Sequence, residues 1–144
     1  MRARRGDSGR ASLEFLVVAL GMVIPVMFLG MSVASLQGAS LAAHSAAQQA
    51  ARVFVQHQSV GNAWSHAERV ALVAVGNHGY TSIHRMERFC EPSSCLLPGS
   101  AVTIRVTLAA PLFTSDFLPG VLGAEVVHIS EESTSVVSRY GVPR

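Results

Sequence analysis

Hydrophobic and polar positions divide this chain into two parts. From Phe15 to Leu36 it reads FLVVALGMVIPVMFLGMSVASL, and no Asp, Glu, Lys or Arg occurs between Glu14 and Arg52. As a helix, at about 1.5 Å per residue, the run is about 33 Å long and matches the roughly 30 Å hydrocarbon core of a bilayer. A transmembrane helix over residues 10–36 is therefore expected. Pro25 lies inside it, where a proline removes one hydrogen bond and bends the chain, a change that membrane helices tolerate better than soluble ones. Gly21, Gly30 and Ser32 are small enough to admit another helix, but their spacing is not GxxxG.

The pattern then changes without a break. From Gln37 to about Gln56, Ser40, His44, Gln48, Arg52 and Gln56 recur every four residues, while Ala43, Ala46, Ala50, Val53 and Phe54 fall on another face. The spanning helix is thus expected to continue outward as one rod with an alanine-rich side. Gly61-Asn62 reads as a break, with Asn62 capping a second short helix around 64–75 that ends near Gly76 and Gly79. Beyond Tyr80 the residues are those of strands. Residues 81–89 form an expected first strand ahead of two cysteines. In 101–109, Val102, Ile104, Val106 and Leu108 alternate with Thr103, Arg105 and Thr107. Pro111, Pro119, Gly120 and Gly123 mark a long connection, and 125–137 reads as a final strand with Val127 and Ile129 inward. The fold class expected is α+β: a long N-terminal transmembrane helix continuing into an exported helix, packed with a small antiparallel sheet over residues 37–144.

Composition supports an anchored chain. Hydrophobic residues make up 49% of the 144 positions and charged residues 14%, against about 25% charged in an ordinary soluble domain. The net charge of +2 is small and scattered, which argues against nucleic acid as a partner. Charge also orients the span. Arg2, Arg4, Arg5 and Arg10 precede it, opposed only by Asp7 and Glu14, and the next arginine is Arg52. By the positive-inside rule the N-terminus stays in the cytoplasm and the remainder is exported.

The flanking arginines and the small residues Ser32-Val33-Ala34 also fit a cleavable signal peptide, which would release a small secreted binding domain after Ala34. Two features weigh against it. The apolar run exceeds the usual 7–15-residue core of such signals, and Glu14 places a carboxylate at the very start of the membrane segment. Burying that charge costs on the order of 2.5–3.5 kcal/mol at a helix centre and less near an interface, so it calls for a partner.

The stretch Gly9-Arg10-Ala11-Ser12-Leu13-Glu14-Phe15 resembles the type IV prepilin signature, a short basic leader ending in glycine with glutamate at the fifth mature position. Glu14-Phe15 is similar to the Glu-Tyr or Glu-Phe of pilins and pseudopilins of the Tad (tight adherence) system. Ala46-Ala47-Gln48-Gln49-Ala50-Ala51-Arg52 resembles the helix that closes the TadE-like segment. The resemblance covers about the first third of the chain. It implies a membrane-anchored, non-catalytic TadE-like pseudopilin or minor pilin, whose leader, residues 1–9, is removed between Gly9 and Arg10 by a membrane-embedded prepilin peptidase. It implies other pilins or pseudopilins, the Tad inner-membrane assembly platform and membrane lipid as partners. Glycine suits the cleavage position because a backbone without Cβ can approach a protease closely. The new α-amino group of Arg10 would then offset the charge of Glu14, in the same chain or a neighbour. Arginine is a departure from the small or apolar residue usual at the first mature position.

Other chemistry is sparse. Cys90 and Cys95, separated by Glu91-Pro92-Ser93-Ser94, are placed for a local disulfide in an oxidising compartment, contributing about 2 kcal/mol by loop entropy. Reduced thiols are the alternative, and two cysteines alone make a poor zinc site. His44, His57, His66, His78, His84 and His128 show no spacing of a familiar metal or acid–base site, with His66-Ala67-Glu68 the nearest approach. They read as surface histidines, and Glu131-Glu132 reads as a solvated stretch of the last strand. No nucleophile elbow, P-loop or dinucleotide fingerprint occurs. No cofactor, metal or catalytic residue is expected.

Overall fold

The computed structural model describes residues 8–111 and 126–140, with side chains from residue 11 onward. Arg2, Arg4, Arg5 and Asp7, the connection through Pro119, Gly120 and Gly123, and Glu125 lie outside the described residues. The chain is α+β: helices α1 (Ser8–Phe54) and α2 (Val60–Gly76) precede strands β1 (Arg85–Glu91), β2 (Ala101–Pro111) and β3 (Val126–Val136). It divides into two compact units, Met1–Ala34 and Ser35–Arg144.

In the first unit, α1 carries the apolar run and is long and apolar enough to cross a membrane or to act as a signal. Pro25 lies inside the helix without ending it. Its side chains point outward on every side: Leu13, Phe15, Val17, Met22, Val26 and Leu29 are all exposed, Phe15 to 75%. Monomeric soluble proteins rarely show a contiguous apolar patch beyond a few hundred Å². A helix apolar all round needs lipid or other helices around it.

In the second unit α1 acquires a buried side. Ala39, Ala42, Ala43, Ala46, Ala47, Ala50, Ala51 and Phe54 are fully buried, at the three- and four-residue steps that keep one helix face together. Alanine favours helix and loses no rotamer freedom, but its methyl buries little area. Phe54, Val75, Val102, Ile104, Val106 and Leu108 are the larger fully buried side chains among the described residues. They join the alanines of both helices in one core. As the four-residue repeat requires, His44, Gln48, Arg52 and Gln56 are exposed.

Helix α2 starts earlier than the sequence led us to expect. Ser59, not Asn62, is the N-cap, in extended conformation, and its Oγ accepts from the Asn62 amide at 3.4 Å. Gly61 and Asn62 therefore sit in the first turn, where amide groups have no intrahelical acceptor and a glycine costs little. Ala63, Ala67, Ala71 and Ala74 form the buried stripe. The helix closes at Gly79, with φ of 86°. The Tyr80 amide donates to Val75 O at 3.1 Å and the Gly79 amide to Gly76 O at 3.0 Å, the paired bonds of a Schellman closure.

The sheet is antiparallel in the order β1-β2-β3. On central β2, Val102, Ile104, Val106, Leu108 and Ala110 are fully buried, and the intervening positions carry polar cross-strand pairs. Thr103 meets Thr134 at 2.7 Å, Thr107 meets Ser130 at 2.8 Å, and Arg105 donates to Glu132 at 3.0 Å while lying over the Phe89 ring. Strand β1 is Arg85–Glu91 rather than 81–89, because the residues after Gly79 complete the helix closure, and Tyr80 and Ile83 pack onto the core. Cys90 consequently lies within β1, paired with Val102, rather than in the following turn.

Cys90 and Cys95 form a disulfide. The β1–β2 connection that it closes is secured by Ser100, whose buried hydroxyl donates to Leu97 O at 2.7 Å and lies 3.1 Å from Cys95 O. Gly99 sits there at φ of 86°, and a Cβ would fall 2.7 Å from Arg139 Nε. The arginine side chain is exposed and can move aside, so it is the left-handed backbone that selects glycine at that position.

Candidate functional site

The residues singled out in the N-terminal segment fall on consecutive turns of α1. Gly9 and Arg10 belong to its first turn, where backbone N–H groups lack intrahelical acceptors and the chain opens most readily. Glu14 is exposed on the helix surface, and among the described residues no cation pairs with it. Phe15 is exposed beside it. These residues occur on an apolar helix surface that carries one carboxylate.

Where α1 enters the second unit, three hydrogen bonds hold it. Ser35 Oγ donates to Pro111 O at the end of β2 at 3.0 Å, and Tyr80 OH donates to Ser35 O at 3.5 Å. Ser40 Oγ donates to Glu131 Oε1 on β3 at 2.6 Å, a short bond of the charge-assisted kind. Glu131 is therefore not part of a solvated stretch. It is half-buried on the same face of β3 as Val127 and Ile129, whereas Glu132 is exposed on the opposite face. Continuing the period-two alternation from Val127 and Ile129 identifies Glu131 as inward. Beside this bond an open groove of about 670 Å³ runs between α1 and β3, lined by Leu36, Leu41, His44, Val127, Ile129 and Glu131 among others.

The histidines form two pairs that sequence spacing does not reveal. His57 and His66 stack with ring centroids 4.5 Å apart, and His84 and His128 meet at 4.2 Å. His57 Nδ1 lies 2.9 Å from Val53 O, and the Arg69 guanidinium lies 3.1 Å from both ring nitrogens of His66. Desolvation, then Arg69, then His57 hold the pKa of His66 below the ordinary imidazole value of 6.5. Because the folded state resists this proton, the small stability contribution is complete above pH 6.5 and is lost as pH falls through the lowered folded pKa. An NMR titration should find the His66 midpoint below 6.5 and moving up toward it in Arg69→Gln; an unchanged midpoint in that variant would remove the arginine as a cause.

Among the described residues, no group of three or more His, Cys, Asp or Glu side chains is assembled that could hold a metal ion. Comparison with protein-family models, with curated proteins and with solved structures finds no match to this chain.

Proposed function

We propose that the chain is a membrane-anchored, TadE-like pseudopilin that takes part in the assembly or structure of a Tad-type pilus, without catalytic activity of its own. The observation that carries this proposal is the two-part character of α1. One uninterrupted helix of 47 residues is apolar and exposed through its first part. It then turns one alanine-lined side into the core of a small disulfide-bonded α+β unit. A pilin-type subunit needs both parts: a helix that lies in lipid before assembly and among neighbouring helices afterwards, and an exported domain. The disulfide supports an oxidising compartment for the second unit, in agreement with the orientation that the leader arginines suggest.

The helix passes through Ser32-Val33-Ala34 without interruption, and Ser35, the next residue, is hydrogen-bonded to Pro111. A cut after Ala34 would sever a continuous helix at its junction with the domain. In the proposed pathway the prepilin peptidase cuts between Gly9 and Arg10 instead, on the cytoplasmic side. The new α-amino group of Arg10 then faces Glu14 of its own helix or of a neighbour, and the partners are other pilins or pseudopilins and the inner-membrane assembly platform. The function is mechanical: helix packing, charge pairing at Glu14 and an exported contact surface.

Substituting Gly9→Val tests the processing step. The β-branched side chain obstructs the close backbone approach that glycine permits, so the protein should accumulate in the membrane with its leader attached, as read by intact mass. Gly9→Ala should be partly tolerated. Normal processing of Gly9→Val would show that the glycine is not recognised.

A further inference from the structure

We propose that His84 and His128 form a two-imidazole clip for a divalent transition-metal ion, with Cu²⁺ the tightest binder, at the exposed surface where the chain enters β1. His84 immediately precedes β1 and His128 lies on β3, so they come from opposite sides of β2. The His84 amide donates to Thr107 O at 3.0 Å, which fixes it beside that part of β2, and His128 on β3 is in register with Ala109. Strands two places apart are separated by about 9–10 Å, yet the rings are 4.2 Å apart. The β2 residue paired with His128 is Ala109, whose side chain is only a methyl.

The geometry is close to that of a chelate. With metal–nitrogen bonds of about 2.0–2.1 Å, two imidazoles held cis on one ion have ring centroids about 4.5 Å apart. The observed centroid separation, 4.2 Å with the ring planes tilted by 46°, is near that value. Both residues are exposed, so water can complete the coordination. Both cysteines are committed to the disulfide, leaving no thiolate as a competing soft ligand, and imidazole ligands favour Cu²⁺ over the other first-row divalent ions.

The other histidine pair provides an internal contrast. His57 and His66 are nearly parallel, at 28°, and stacked, so their in-plane lone pairs do not converge. The Arg69 guanidinium beside both nitrogens of His66 repels a cation. A metal on His84 and His128 would staple the entry to β1 to the start of β3 across the central strand. The chain would then carry a metal-responsive brace in its exported unit, whatever its role in assembly.

The test uses the full chain in detergent, purified without a histidine tag and titrated with Cu²⁺ alone by calorimetry and electron paramagnetic resonance. One tight equivalent with hyperfine coupling to two imidazole nitrogens is expected. Because even outer-shell changes cost 10–100-fold in metal affinity, His84→Asn and His128→Asn should each weaken binding at least about tenfold. His57→Asn and His66→Asn should leave it unchanged. A loss of less than tenfold in both His84→Asn and His128→Asn, an equal loss in the His57 or His66 variant, or no two-nitrogen signal in the parent protein would each overturn the proposal. Fluorescence of Trp64, the one tryptophan, confirms in each variant that the fold is retained.

Discussion

Replacing Phe54 with alanine is expected to destabilise the second unit by about 3–5 kcal/mol, the range for emptying a fully enclosed aromatic site. Folded domains are stable by about 5–15 kcal/mol in all, so this one change should remove a large part of the total. Phe54 is the largest fully buried side chain and ends α1, where it joins the alanines of both helices and the inner residues of β2 in one core. The alanines around it carry only a methyl group each and cannot rotate to fill the space left. Trp64 packs against this core with Arg88 over its ring, so its fluorescence follows unfolding of the second unit in urea. Leu41, 60% exposed on α1, provides the control, and Leu41→Ala should fall within about 0.5 kcal/mol of the parent. A Phe54→Ala loss below about 1 kcal/mol would mean that the end of α1 is not enclosed as described.

The second large effect expected is functional. Glu14→Ala should reach the membrane and lose its leader normally, yet fail in pilus assembly. Removing a charge makes the span more apolar, so insertion should be as good or better. What is lost is the anionic partner for the α-amino group of Arg10, in the same chain or the next, and with it a cue for the register between neighbouring helices. Glu14 is exposed on α1 and unpaired with any cation among the described residues, as a group awaiting a partner created by processing would be. The variant is expressed in cells lacking the native copy, and membrane level, processing and piliation are compared. Normal membrane level with lost pili is the expected outcome. Wild-type piliation would mean that the carboxylate is solvated and has no part in assembly.

Elements governed by one strong periodicity were legible in the sequence, and those governed by tertiary partners were not. Strand β2 was legible because Val102, Ile104, Val106 and Leu108 alternate without interruption and face a core. The continuity of α1 was legible because the alanine stripe takes up where the apolar run stops. The start of α2 was misassigned because Ser59 and Asn62 are both good caps, and only the backbone conformation at Ser59 decides between them. Strand β1, RMERFCE, has little apolar alternation of its own and is placed by its register against β2.

Site residues divide in the same way. The Cys90–Cys95 disulfide could be inferred because only four residues separate the two. Glu131 was misread because two adjacent glutamates suggest water, although strand alternation sends them to opposite faces. The histidine pairs could not be found from spacing, since His84 and His128 meet only through the order of the strands. That the first helix is long and apolar enough to cross a membrane or to act as a signal was plain in its composition.

The central claim is tested most directly by the N-terminal residue of the mature protein, read by mass spectrometry from a membrane fraction. The account predicts Arg10, because that cut alone puts Glu14 at the fifth position and creates the amino group that pairs with it. A mature protein beginning at Ser35 would contradict it, showing that the apolar run is a discarded signal and the remainder a secreted domain.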